Sequence, residues 1–215
     1  MIVLGGGPIG VELAQALQRF GVEITIVEMG SQILIREDKE LRDLLAERLS
    51  SDGLKILTDT KAVKLYHENG AVLLDVEYKS GETGIINAET VLIAVGRKAN
   101  VDGLMLEKAG VEYLQKGIKV DGTLKTTAPN IYACGDVAGP YQFSHMAEYQ
   151  ARIAVQNVLL PVKKHTNYEH YIWCTFTDPE LAHAGLTEEE ARKEHGKRIR
   201  GILWGICTSP RPIKT

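Results

Sequence analysis

Ile2-Val3-Leu4-Gly5-Gly6-Gly7-Pro8-Ile9-Gly10 is the stretch whose reading decides the fold. Three apolar residues form a strand, Gly5, Gly7 and Gly10 stand in Gly-x-Gly-x-x-Gly spacing at its end, and a helical pattern opens directly behind them. That order puts the unpaired N–H groups and positive dipole end of a helix where an anion can reach them, as a dinucleotide pyrophosphate requires. Glycine-rich turns are common, so the flanks carry the decision. Ile9, Leu13, Leu17 and Phe20 recur about one turn apart and predict one apolar helix face, with Gly21 as the stop. Val22, Ile24 and Ile26 alternate with Glu23, Thr25 and Val27 in a second strand that ends at Glu28. Glu28 lies 23 residues after Gly5, close to the roughly 20-residue offset at which a carboxylate accepts the adenosine ribose hydroxyls. Gly5, Gly7, Pro8, Ile9, Gly10 and Glu28 are therefore the candidate cradle for NAD.

Glu28 also bears on which nucleotide is preferred. A carboxylate there pairs with a free 2′-hydroxyl and repels a 2′-phosphate, and Met29, Gly30 and Ser31 offer no cation to offset it. NADH is expected over NADPH.

Composition narrows the class further. The 215 residues are 44% hydrophobic with a net charge of −3, enough for one large domain or two small ones. Lysines and arginines are scattered among acids, which gives nucleic acid no electrostatic footprint. No apolar run approaches the roughly 20 residues that span a bilayer, and Met1 enters a core strand without a charged leader, so a cytoplasmic protein is expected. Cys134, Cys174 and Cys207 are far apart and odd in number, fitting neither a disulfide framework nor a metal site.

Along the chain, helix and strand alternate and then strands follow alone. Asp38 opens a helix with Leu41, Leu44, Leu45 and Leu49 on one face, ended by Gly53 before the strand Leu54 to Leu57. Lys61 to His67, Val72 to Tyr78 and Gly84 to Asn87 read as a meander turning at Asn69-Gly70 and Ser80-Gly81. Thr90 to Val95 reads as a buried strand that closes a first domain near residue 96. Ile131 to Cys134 forms a short strand whose end projects Asp136 after Gly135. Ala147, Ala151, Ala154 and Val158 then repeat at 4, 3 and 4 as a small-residue helix face. His145 and Glu148 lie three apart on that helix and are expected to form a surface pair rather than a catalytic one.

Three stretches, Gly5 to Glu12, Thr90 to Asn100 and Thr126 to Asp136, resemble in order three signatures of the flavoprotein pyridine nucleotide-disulfide oxidoreductases, the dihydrolipoyl dehydrogenase and mercuric reductase type in particular. The second signature reads Gly96-Arg97-Lys98-Ala99-Asn100, with alanine where the family has proline. Thr175 to Ala182 and Gly185 to Glu188 resemble the opening of the family's interface domain, with Thr187-x-x-Glu190 as a capping box before a helix from Glu188 to His195.

The resemblance implies an α/β fold of three parts: a Rossmann-type NAD-binding domain with a β-meander (1–96), part of an FAD-binding domain (97–160) and the start of an α+β interface (dimerisation) domain (161–215). It implies FAD as second cofactor, with Gly96, Arg97, Gly135 and Asp136 at the flavin, Asp136 on a ribityl hydroxyl, and Glu12 beside the nicotinamide and flavin rings. Pro8 stands where many members carry a residue covering the flavin. The expected reaction passes hydride from NAD(P)H to FAD and electrons to a disulfide or thiol-bound acceptor, in a homodimer formed through residues after 161. The redox cysteine pair and the histidine-glutamate base of that chemistry are not in this sequence, nor is a second glycine loop for FAD. No catalytic residue is assigned, and the chain is expected to be a piece of a longer enzyme, inactive alone. A non-catalytic NAD-binding module is the alternative.

Overall fold

The computed structural model describes residues 1–169 and 171–196. It begins with the expected unit: β1 (Ile2–Leu4), α1 (Pro8–Arg19), β2 (Thr25–Val27), α2 (Lys39–Ser51) and β3 (Lys55–Leu57). A meander of β4 (Thr60–Glu68), β5 (Ala71–Tyr78) and β6 (Thr83–Ala88) follows, and β7 (Val91–Ile93) returns to the first sheet. That sheet runs β3-β2-β1-β7 with β1 parallel to both neighbours, Val3 pairing Ile26 on one side and Leu92 on the other. Reversal of strand order beside β1 leaves a crevice outside the carboxyl ends of the strands, where Gly5 to Gly10 lie.

The meander forms because Val72, Leu74 and Val76 alternate toward the core while Asn69 and Gly70, with φ of 51° and 81°, close a tight hairpin. Its buried residues join Ile2, Leu4 and Val27, so it packs on one side of the parallel sheet. On the other side Val3, Val11, Ala14, Ile24, Ile26, Leu45 and Leu49 make the main core.

Two helix faces differ from their sequence reading. In α1 the buried positions are Gly10, Val11, Ala14 and Gln15, while Ile9, Leu13 and Phe20 are exposed. Gly10 must sit on the turn after β1 for the loop to close, and that contact rotates the helix away from the apolar stripe. In α2, Leu45 and Leu49 are buried but Leu44 is exposed. β7, expected to be buried, is the edge of its sheet, and Ile93 and Val95 face outward.

Beyond β7 the chain makes a 3-10 turn at Leu106–Ala109, a ribbon of β8 (Tyr113–Leu114) and β9 (Gly117–Ile118), a 3-10 turn at Gly135–Val137 and α3 (Ser144–Leu159). Ile131 to Cys134, expected as a strand, is extended chain held by an isolated bridge between Lys125 and Tyr132. α3 buries Met146, Gln150, Ile153, Ala154 and Asn157. Of the expected small-residue face, Ala154 is buried, Ala147 and Ala151 are half-buried, and Val158 is exposed. β10 (Ile172–Thr175) and β11 (Leu181–Ala184) form an antiparallel hairpin.

Residues 1–185 make one compact unit, and a second begins at Leu186. In the second, α4 (Glu188–His195) starts at the expected box: Thr187 accepts the Glu190 N–H and the Glu190 carboxylate accepts the Thr187 N–H. Gly201 to Thr215, Cys207 included, lie outside the described residues.

Candidate functional site

The glycines of the first turn divide the work by what surrounds them. Gly5 has φ of 102°, and a Cβ on it would stand 2.5 Å from the Ala94 carbonyl oxygen. A Cβ on Gly10 would stand 2.1 Å from the Gly5 oxygen. Both are fixed by close packing of strand, turn and helix. Gly7 is different: its φ is −75°, and a Cβ there would meet nothing within 4 Å. It is the N-cap of α1, with Pro8 as first helical residue, so the open space lies over the free N–H groups of the first turn. Open space, a bare backbone and a positive dipole end coincide there, which suits a pyrophosphate.

Glu28 closes one side of this space. Its carboxylate accepts the Gly6 N–H through Oε2 and the Gly30 N–H through Oε1, both at 2.6 Å. Each oxygen has a further lone pair, so the half-buried carboxylate retains acceptor capacity for a diol. Leu34 N–H donates to the Gly6 oxygen at 2.8 Å, tying the 30–37 loop to the glycine turn.

On the other side, three α1 side chains at helical spacing hold the loop after β10. Glu12 accepts the Phe176 N–H at 2.9 Å. Gln15 exchanges two bonds with the Asp178 backbone, both at 2.8 Å, and Arg19 pairs with the Asp178 carboxylate at 2.6 Å. Glu12, expected at the nicotinamide, thus spends one oxygen on this loop, and exposed Phe176 is brought to the helix beside it. Sequence reading missed Gln15 and Arg19, because the apolar stripe it followed put Gln15 on the outward side of α1.

The two distant signatures meet. Arg97 Nη1 lies 3.1 Å from Asp136 Oδ2, and its Nη2 donates to the Gln142 oxygen at 2.6 Å. Both side chains are 44% exposed, so the pair adds little stability and serves to orient. Asp136 is presented by the 3-10 turn at Gly135, whose N–H donates to fully buried Gln150 at 2.7 Å. The Gln150 amide also donates to the Gly139 oxygen and to the Tyr168 hydroxyl, at 2.6 and 2.9 Å. Gln150 clamps both ends of the turn, a role the sequence did not suggest. Gly135, with φ of 79°, backs onto Ala147, whose Cβ would lie 3.3 Å from a Cβ there.

His145 and Glu148 do not pair. His145 Nε2 bonds the Ile172 oxygen at 2.8 Å and its ring stacks on Tyr171, while Glu148 pairs with Arg152. Cys134 and Cys174 are free thiols. Burial, then Glu180, Glu12 and Glu37, raise the Cys174 thiol above its usual range. Burial pushes Tyr171 up to about 12. Among the described residues, no helix is long and apolar enough to cross a membrane.

A parallel sheet with this strand order, a glycine turn at its switch point and an acid at the end of β2 define a Rossmann-type α/β protein. Comparison with known proteins narrows the class. The pyridine nucleotide-disulphide oxidoreductase family model matches residues 1–151, and the chain belongs to that family. A dihydrolipoyl dehydrogenase of Bacillus subtilis is 36% identical over 91% of this chain and 42% of its own length. A mercuric reductase of Bacillus cereus is 33% identical over 99% of this chain and 34% of its own. Among solved structures, the HOCl-induced flavoprotein disulfide reductase RclA from Escherichia coli matches with a TM-score of 0.79 at 34% identity, covering 89% of this chain and 43% of that one. The chain spans about two-fifths of the length of the curated dihydrolipoyl dehydrogenases it matches.

Proposed function

We propose that this chain is the nicotinamide-nucleotide part, with a portion of the flavin part, of an FAD-dependent NADH:disulfide oxidoreductase. The observation that carries the reading is the space over Gly7, framed by tightly packed Gly5 and Gly10 and flanked by Glu28. Gly5, Gly7, Pro8, Ile9, Gly10 and Glu28 hold NADH, with Glu28 on the ribose diol and Glu12 toward the nicotinamide. The Gly96-Arg97 and Gly135-Asp136 segments take the ribityl side of FAD, which their junction through the Arg97–Asp136 pair supports. Bound there, FAD would supply the hydride acceptor and the electrons for a disulfide or thiol-bound substrate, while this chain's residues bind and orient. In this reading residues 1–96 are the nucleotide domain, 97–160 belong to the flavin domain and 161–215 open an interface domain through which two copies pair. The free thiols Cys134 and Cys174 favour the cytoplasm.

Calorimetric titration with NADH and NADPH tests the nucleotide assignment. NADH binds more tightly, and Glu28→Arg narrows or reverses the preference by on the order of 1–3 kcal/mol through lost ribose bonds and relieved phosphate repulsion. Equal affinities in the unmodified chain refute the role of Glu28.

A further inference from the structure

A buried polar cluster outside the nucleotide cleft joins the two segments that wall it. Glu37 ends the loop that begins at Gly30, and it is 6% exposed. Its Oε1 accepts the Trp173 indole N–H of β10 at 2.6 Å, and its Oε2 lies 2.8 Å from His183 Nδ1 of β11. The other imidazole nitrogen, Nε2, lies 2.8 Å from the Gly185 oxygen. Trp173 and His183 stack with ring centroids 3.7 Å apart and planes 13° from parallel. Both are less than a tenth exposed.

The arrangement constrains the protons. Glu37 and the Gly185 carbonyl are acceptors, and they face opposite nitrogens of one ring. Both contacts are hydrogen bonds only when a proton lies between Glu37 and His183 and a second lies between His183 and Gly185. On the Glu37 side the contact is buried, so losing it leaves a polar atom unsatisfied, whereas the Gly185 contact is only partly buried. Among the described residues, the charged group that the structure places on the ring is Glu37. The indole covers one ring face, and Arg42 of α2 reaches the same loop but donates to the Ile35 oxygen.

The cluster also sits at a junction. Toward the cleft, Glu37 N–H donates to the Leu34 oxygen and Leu34 N–H to the Gly6 oxygen, so two steps connect Glu37 to the glycine turn. In the hairpin, β10 runs from Trp173 to the loop at Phe176–Asp178 that Glu12, Gln15 and Arg19 hold on α1. The hairpin thus braces the 30–37 loop against α1, and Glu37 is its fastening at one end.

We propose that Glu37, Trp173 and His183 are positioning residues for the dinucleotide cleft, holding it in binding geometry through the two contacts that Glu37 makes with the hairpin. The proposal rests on the NADH reading of that cleft. None of the three touches the open space over Gly7. Their effect passes through the loop and the hairpin, so nucleotide affinity depends on a site the nucleotide does not contact.

The test uses the 215-residue chain and calorimetric titration with NADH. Glu37→Leu removes both acceptor oxygens and leaves the Trp173 indole N–H without its partner, so NADH affinity falls about fivefold or more. Glu37→Gln keeps an oxygen for the indole and an amide N–H for the His183 ring, and restores affinity to within about twofold of the unmodified chain. Trp173→Phe drops the indole N–H while keeping an aromatic ring in the cluster, and gives a smaller loss in the same direction. Circular dichroism at the titration temperature establishes that each variant is folded. A folded Glu37→Leu or Trp173→Phe chain that binds NADH with unchanged affinity overturns the proposal, as does a folded Glu37→Gln chain that binds as weakly as Glu37→Leu. Failure of the unmodified chain to bind NADH is a separate outcome, which refutes the nucleotide reading itself.

Discussion

Gly7 and Gly10 stand three residues apart, yet adding one methyl group to each should have opposite consequences. At Gly7 the backbone is already suited to alanine, with φ −75° and ψ 176°, and the new Cβ meets nothing within 4 Å. Alanine is a poorer N-cap than glycine, a loss of roughly 0.5–1 kcal/mol. Reduced freedom of the unfolded chain offsets it by about 0.4–1 kcal/mol. The melting temperature should stay within a few degrees of the unmodified chain. The methyl does occupy the space from which a pyrophosphate must approach the α1 N-terminus. Displacing the anion sacrifices one or two charge-assisted bonds, about 2–4 kcal/mol, or some 30-fold to several hundredfold in NADH affinity. At Gly10 the new Cβ would lie 2.1 Å from the Gly5 oxygen, a backbone atom with no freedom to retreat. Helix and strand must separate, at a cost of about 1–3 kcal/mol or more in stability. Thermal unfolding followed by circular dichroism, with calorimetry for NADH, separates the two effects. Gly7→Ala that binds NADH with unchanged affinity, or that melts as early as Gly10→Ala, refutes the division of roles between these glycines.

Two further outcomes follow from local chemistry. Burial and nearby carboxylates raise the Cys174 thiol, so little thiolate forms near neutrality. Iodoacetamide at about pH 7.5 should modify it much more slowly in the folded chain than after denaturation, and equal rates by mass spectrometry would contradict this. Thr187→Ala removes the hydroxyl that accepts the Glu190 N–H, destabilising α4 by about 1 kcal/mol. Amide exchange should quicken over Glu188–His195 and leave β5 unaffected.

Legibility in the sequence followed the range of the interactions involved. The glycine spacing, the alternation of Val72, Leu74 and Val76, the Asn69-Gly70 turn and the Thr187–Glu190 box are set by neighbours within a few residues, and each stands in the structure as read. Helix faces were read less well. Apolar periodicity selected Ile9 and Leu13, but the requirement that Gly10 touch Gly5 settled which side of α1 faces inward. The same limit applied to polar residues in the core. Gln150 looks like any surface glutamine in a helix, and only the fold brings it to Gly135 and Gly139. Glu37, Trp173 and His183 are more than 130 residues apart at their widest and share no local pattern. The meeting of Arg97 with Asp136 fits the family resemblance of their two segments, although spacing alone did not predict it.

The bond pair between Gln15 and Asp178 bears on how this chain can drift. A side-chain amide there imitates a neighbouring strand, giving the Asp178 backbone one donor and one acceptor. The partner is main chain, so no substitution at position 178 can compensate for a change at position 15. An aspartate or glutamate would accept but not donate, and leucine would do neither. Position 15 is thereby confined to a carboxamide for as long as the hairpin stays in place, while position 178 can change its side chain freely and sacrifice only the exposed Arg19 contact. Selection should act on the two unequally: a nearly fixed residue inside the helix facing a variable one in the loop, joined by the same two bonds.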